Sequence, residues 1–293
     1  VAGNTVLGES ALDASVSGGS NTAIGKDVLT VNTSGANNTA VGAYALDANT
    51  TASDNTGIGK AALSNNSTGA NNTAVGKDAL VANTTGADNV AVGQIALASS
   101  TTAEGNVALG RYSMNNTTTG SNNVAAGKNS LGANTTGTGN VALGYGALDA
   151  NTTANYNTAL GFNALSANTT GAENVAIGRQ SLLANTTAND NISIGVNAMY
   201  ANTTGKRNVS VGSGALGTNT TADNNVAVGY LSLYANTTGY KNVAVGGAAL
   251  EANTTADNNT AIGNTALNAN TTGLWNTAVG ASSLVSNTTG NNN

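Results

Sequence analysis

The sequence predicts an all-β fold: a parallel β-solenoid of 17 coils with 17 residues in each. Three observations lead there. Glycine recurs at Gly8, Gly25, Gly42, Gly59 and onward to Gly280, always 17 residues apart and without an insertion. The residues before each glycine alternate branched and small, as in Val141, Ala142 and Leu143, which is the period of a strand and not of a helix. The vocabulary is Asn, Thr, Gly and Val with no Pro, which suits turns and unbroken backbone ladders. A fixed period this short marks a repeat architecture in which each unit buries its apolar face only against its neighbours.

Within the repeat, the asparagine of "NTAVG" is position one and is Asn in every copy, from Asn4 to Asn276. Positions one to five are expected to form a first strand, positions eight to twelve a second, and the remainder turns. Glycine at position five is expected to take a positive φ or to admit a neighbouring backbone. Asparagines at position one should stack and bond along the axis, with columns about 4.8 Å apart. Position nine is Leu, replaced only by Met114 and Met199, and position four is Val, Ile or Leu with one exception at Ala126. These two columns are expected to fill a thin core. Residues 1–293 read as one continuous repeat domain that begins and ends inside the pattern, as part of a longer fibre would.

Composition excludes most chemistry. Aromatic residues make up 3% and charged residues 8% of the chain, too few for an ordinary globular core. The net charge of −5 and the strict register argue against disorder. There is no Cys and no His, so no disulfide framework, no thiolate, no imidazole metal site and no Ser/His or Cys/His nucleophile. The Asp column of calcium-binding β-rolls is missing, and the glycines do not form a phosphate loop leading into a helix. No catalytic residue, cofactor or metal is expected. Asp88 with Glu104, and Glu173 with Asp190, lie on adjacent coils at the spacing a glycosidase could use, but on a convex corner where solvated charge is the plainer reading. Basic residues at position six form a weak stripe, and the negative balance argues against nucleic acid. No stretch reads as a signal peptide or a membrane-inserted span.

The charges outline the cross-section. Every acid and base falls at positions six, seven, ten, sixteen or seventeen, which are read as the solvent-facing corners. Position three is Ala in 13 copies and is otherwise Ser, Gly or Val. If Val141 and Leu143 point into the coil, Ala142 points out. Ala125, Ala142, Ala159 and Ala176 are then expected to form a face covered by another subunit. Threonines at positions thirteen and fourteen present one outward row, which keeps an ice-binding solenoid open as an alternative. "N-T-T" or "N-S-T" from Asn49 to Asn287 is formally an N-glycosylation acceptor. Among the exposed aromatics, Tyr230, Tyr240 and Trp275 are candidate glycan contacts.

"NVAVG", "NTAIG" and "NVALG" resemble the YadA-like head repeat of trimeric autotransporter adhesins, which reads N-S-V-A-I-G. The longer phrase "NTAVG..AL..NTTG..N" resembles repeat arrays of phage tail-fibre proteins. The resemblance runs from Asn4 to Asn276 and departs in period, the extra residues lying in "NTTG". No coiled-coil stalk, membrane anchor or chaperone domain accompanies it in this sequence. It implies a left-handed β-roll packed as a homotrimer. The functional expectation is a non-enzymatic structural fibre or adhesin segment, extracellular at a cell surface or on a virion. Its partners would be its own copies and a host-surface glycan or receptor. A glycan-cleaving tailspike is the less favoured third reading.

Overall fold

In the computed structural model every repeat contributes one three-residue strand, at positions two to four. The structure describes residues 3–14 and 16–293. The chain divides into two compact units, Val1–Gly146 and Ala147–Asn293. The first carries β1 (Thr5–Leu7) to β9 (Val141–Leu143), the second β10 (Thr158–Leu160) to β17 (Thr277–Val279), with one strand every 17 residues. Within each unit the strands pair in parallel and in strict register, Thr73 with Val90 and Ala74 with Ala91 in the first, Val226 with Val243 in the second. The described residues contain no helix. The architecture is thus the parallel β-solenoid the period predicts.

Two expectations about the coil are corrected. The second strand at positions eight to twelve is absent; those residues form turns. The turns are nonetheless laddered from coil to coil: the Leu80 amide donates to the Ala96 carbonyl at 3.0 Å and Ala82 to Ala98 at 3.1 Å. What removes them from the strand class is a left-handed backbone. Positions seven, nine and seventeen have positive φ in one coil after another, as in Asp78 (57°), Leu80 (51°) and Asp88 (59°). Asp and Asn accept that conformation; Leu ordinarily resists it at about 1–2 kcal/mol. Leu80 is fully buried, as are its counterparts from Leu29 to Leu131 and from Leu148 to Leu267. Burying such a side chain returns about 1.5–3 kcal/mol, which offsets the strain.

The second correction concerns strand parity. Position three points inward: Ala125, Ala142, Ala159 and Ala176 have no exposed surface. They do not form an outer face in contact with another subunit. Positions two and four point outward, so the branched residues at position four are not core; Ile58, Val92 and Leu109 are each about two-fifths exposed. The reason lies in position one. Its Asn amide must be inside to complete its ladder, and alternation then puts position three inside with it. Space explains why position three is small. A Cβ at Gly57 would stand 3.2 Å from the Ala62 carbonyl and 3.4 Å from the Leu46 side chain. Where Ser stands there, its hydroxyl is bonded: Ser210 Oγ donates to the Ala215 carbonyl at 2.8 Å.

The asparagine ladder holds as expected. Asn72 Nδ2 donates to the Gly86 carbonyl at 2.8 Å and to Asn55 Oδ1 at 3.3 Å, while its own Oδ1 accepts from the Asn89 amide nitrogen and Nδ2, both at 3.1 Å. A second ladder runs at position twelve, where Asn66 Nδ2 donates to Asn49 Oδ1 at 3.2 Å and to the Gly69 carbonyl at 2.9 Å. Buried amides that satisfy one another in this way replace a large apolar core. Glycine at position five meets both parts of its expectation. Gly76 has φ 138°, and a Cβ there would come within 2.6 Å of the Gly93 carbonyl oxygen.

Candidate functional site

The outward strand face is the first candidate. In each unit, positions two and four build two adjacent columns of Thr, Val, Ile and Leu, with Ala126 the one exception, and without a charge in any coil. Val90 and Val92, Val107 and Leu109 are successive rungs in the first unit; Val226 and Val228, Val243 and Val245 are successive rungs in the second. These side chains are half-buried to exposed in the single chain. Parallel strands are normally covered on both faces and read as continuously apolar. Here the inner face is covered by the chain's own turns, and the outer face has no cover of its own.

The second candidate is a groove of about 510 Å³ in the second unit. Tyr200, Tyr230 and Tyr234 line it, with Asn197 and Glu251 as polar groups and Gly214 and Gly217 as its bed. Of the sequence-expected glycan contacts, only Tyr230 belongs to it. Tyr240 lines a separate, shallower dent of about 200 Å³ beside Thr238 and Asp223. Its ring is also engaged, with Lys241 Nζ 5.5 Å from the ring centre. Trp275 is 60% exposed and lines neither. Tyr200, Tyr234 and Glu251 are not among the residues the sequence reading singles out; all three stand at position ten, and listing that column alone brings them together.

The proposed acid pairs line neither groove. Asp88 instead accepts a hydrogen bond from Asn71 Nδ2 at 3.1 Å. At position ten, burial pushes the carboxyls of Asp47 and Asp149 above the usual carboxylate range. Protonation is then easier in the folded chain than in the unfolded one, so both groups favour the fold most in acid and less as pH rises. No family model and no curated protein matches this chain. Apart from the exposed Asn116 at position eleven and the part-buried Asn287, the acceptor asparagines of the "N-T-T" stretches are the buried ladder of position twelve; Asn83, Asn168 and Asn236 have no exposed surface. Their amides face inward, which closes them to an oligosaccharide transferase once the coil has formed.

Proposed function

We propose that this chain is a segment of a non-enzymatic structural fibre whose copies associate through the outward strand face. The observation that carries the reading is that face: uncharged in every coil, built mainly of Val, Ile, Leu and Thr, and half-buried to exposed in the single chain. Exposed apolar surface repeated over many coils is the mark of an interface. A two-column strip of identical rungs is complementary to further copies of itself under rotational symmetry. Left-handed coils packed as a homotrimer are the arrangement that the resemblance to YadA-like head repeats and tail-fibre arrays implies. The same resemblance sets the fibre outside the cell, at a cell surface or on a virion, facing a host-surface glycan or receptor. The reading as a non-enzyme is supported by the larger groove, where Glu251 is the one acid among the lining residues and glycoside hydrolysis ordinarily needs two.

Sedimentation tests the assembly. The parent chain should sediment as a trimer, and Val92→Lys with Leu109→Lys should release monomers whose β-type circular dichroism is unchanged. A monomeric parent, or a double variant that remains trimeric, overturns the reading.

A further inference from the structure

We propose that the tyrosine groove of the second unit binds a neutral oligosaccharide. The inference starts from a local break in the repeat. Successive coils read Tyr200, Gly217, Tyr234, Glu251 and Asn268 at position ten. The coil that supplies Gly217 also has glycine at position seven, Gly214, and no other coil has glycine at both. The two missing side chains let the neighbouring coil lean in. A Cβ on Gly217 would stand 2.7 Å from Tyr234 Cε2, and one on Gly214 2.7 Å from Leu231 Cδ2. The Tyr234 ring therefore lies over bare backbone, and the groove opens beside it.

Its lining is mixed in a particular way. Tyr200, Tyr230 and Tyr234 are 41%, 65% and 40% exposed, so their ring faces are accessible. Glu251 is steadied by Asn268, whose Nδ2 donates to Oε2 at 3.0 Å. Asn197 Oδ1, in the wall, is buried without any hydrogen-bond partner, an uncommon condition for an amide oxygen. Flat rings that take the C–H face of a pyranose, beside a carboxylate that accepts from hydroxyls, are what a sugar requires. No Lys or Arg lines the groove, which disfavours phosphorylated, sulfated or uronic ligands. The inference rests on the attachment-fibre reading for the setting in which such a ligand is met, but the groove and its chemistry lie within one chain.

The test is isothermal titration of the full chain with maltotriose, cellotriose, xylotriose and tri-N-acetylchitotriose, with sedimentation run in parallel. At least one should bind with a Kd of about 1 mM or tighter. Tyr234→Ala and Glu251→Gln should each weaken that binding at least about tenfold, equivalent to 1.4 kcal/mol. Gly217→Val, which displaces the ring, should weaken it too. Trp275→Ala should leave it unchanged. Glu251→Gln removes only a charge on the surface, so it reports on binding even if Tyr234→Ala destabilises the coil. The proposal is overturned if no trisaccharide binds at about 10 mM, or if Glu251→Gln binds as the parent does. It is equally overturned if Tyr234→Ala abolishes self-association, which would make the groove a contact between chains. Self-association that persists while sugar binding fails separates this proposal from the fibre reading.

Discussion

Position twelve shows what one residue contributes to a ladder, because two successive rungs, Ser100 and Thr117, are not asparagine. In place of Asn the chain has Ser100, whose hydroxyl is buried and unbonded, and the preceding Asn83 Oδ1 is left without a donor. Before this gap the column is continuous, as where Asn83 Nδ2 donates to Asn66 Oδ1 at 2.7 Å. Ser100→Asn should restore the donor to Asn83 and supply the usual bond to the carbonyl at position fifteen, Ala103. Satisfying two buried groups is expected to raise stability by about 1 kcal/mol, read as a higher midpoint in chemical denaturation. A lower midpoint would mean that the site has relaxed around serine and that no gap remains to be filled. This ladder was only half legible. Stacked asparagines could be expected from the invariant column at position one, but the "N-T-T" asparagines read only as formal glycosylation acceptors. Their burial follows from the turn geometry, in which Nδ2 reaches the carbonyl three residues on, as Asn83 does to Gly86 at 2.9 Å.

At the scale of the strand, the decisive quantity is parity. With a strand of three residues, one inward and two outward side chains are set by a single choice. That choice moves the apolar strip from the core to the surface. Adjacent residues should therefore respond in opposite ways. Ala91 is fully buried, and Ala91→Glu would put an unpaired carboxylate among the turns, with an expected loss of more than about 3 kcal/mol and an unfolded or aggregated product. Val92→Lys, one residue on, should keep the fold because its head group reaches water. Circular dichroism and urea titration of the two single variants check this. Equal tolerance of both would contradict the inward assignment of position three. The misreading of parity came from equating branched side chains with the core. Here the interior is filled by Leu at position nine and by amides, and only a small side chain, Ala, Ser or Gly, fits between them.

At the scale of the molecule, each coil within a unit bonds to the next through strand, turn and side chain alike, and such stacks gain stability from every neighbour interface. The β-type circular dichroism spectrum is expected to persist above about 65 °C, the upper end for ordinary mesophile domains. The ice-binding alternative is judged at the same scale. Position fourteen is an exposed threonine row, from Thr51 to Thr136 in the first unit and from Thr153 to Thr289 in the second. The adjoining position thirteen is not a second row. Thr84 Oγ1 is spent on the Thr101 carbonyl at 3.0 Å, and Thr203 on Thr220 at 3.0 Å. One row one side chain wide is a poor match for an ice plane. No thermal hysteresis is expected in nanolitre osmometry; a clear freezing gap with faceted crystals would restore the alternative.

The 17-residue period by itself determined the class of fold, the register and the identity of the columns that stack, because a strict repeat with no insertion has only one way to place equivalent residues side by side. The place of glycine at position five and leucine at position nine was determined with it, since both columns are nearly invariant. Tertiary structure alone decided which face of each strand looks inward. That depends on whether an amide ladder or a branched side chain wins a narrow interior, and the local pattern is the same either way. It also decided that the turns after position five are left-handed, a conformation leucine adopts only when burial offsets the strain. The tyrosine groove belongs to the same category. The period already sets Tyr200, Gly217, Tyr234 and Glu251 in one column, but only the packed structure shows the Tyr234 ring over the bare backbone of Gly217 and a groove beside it.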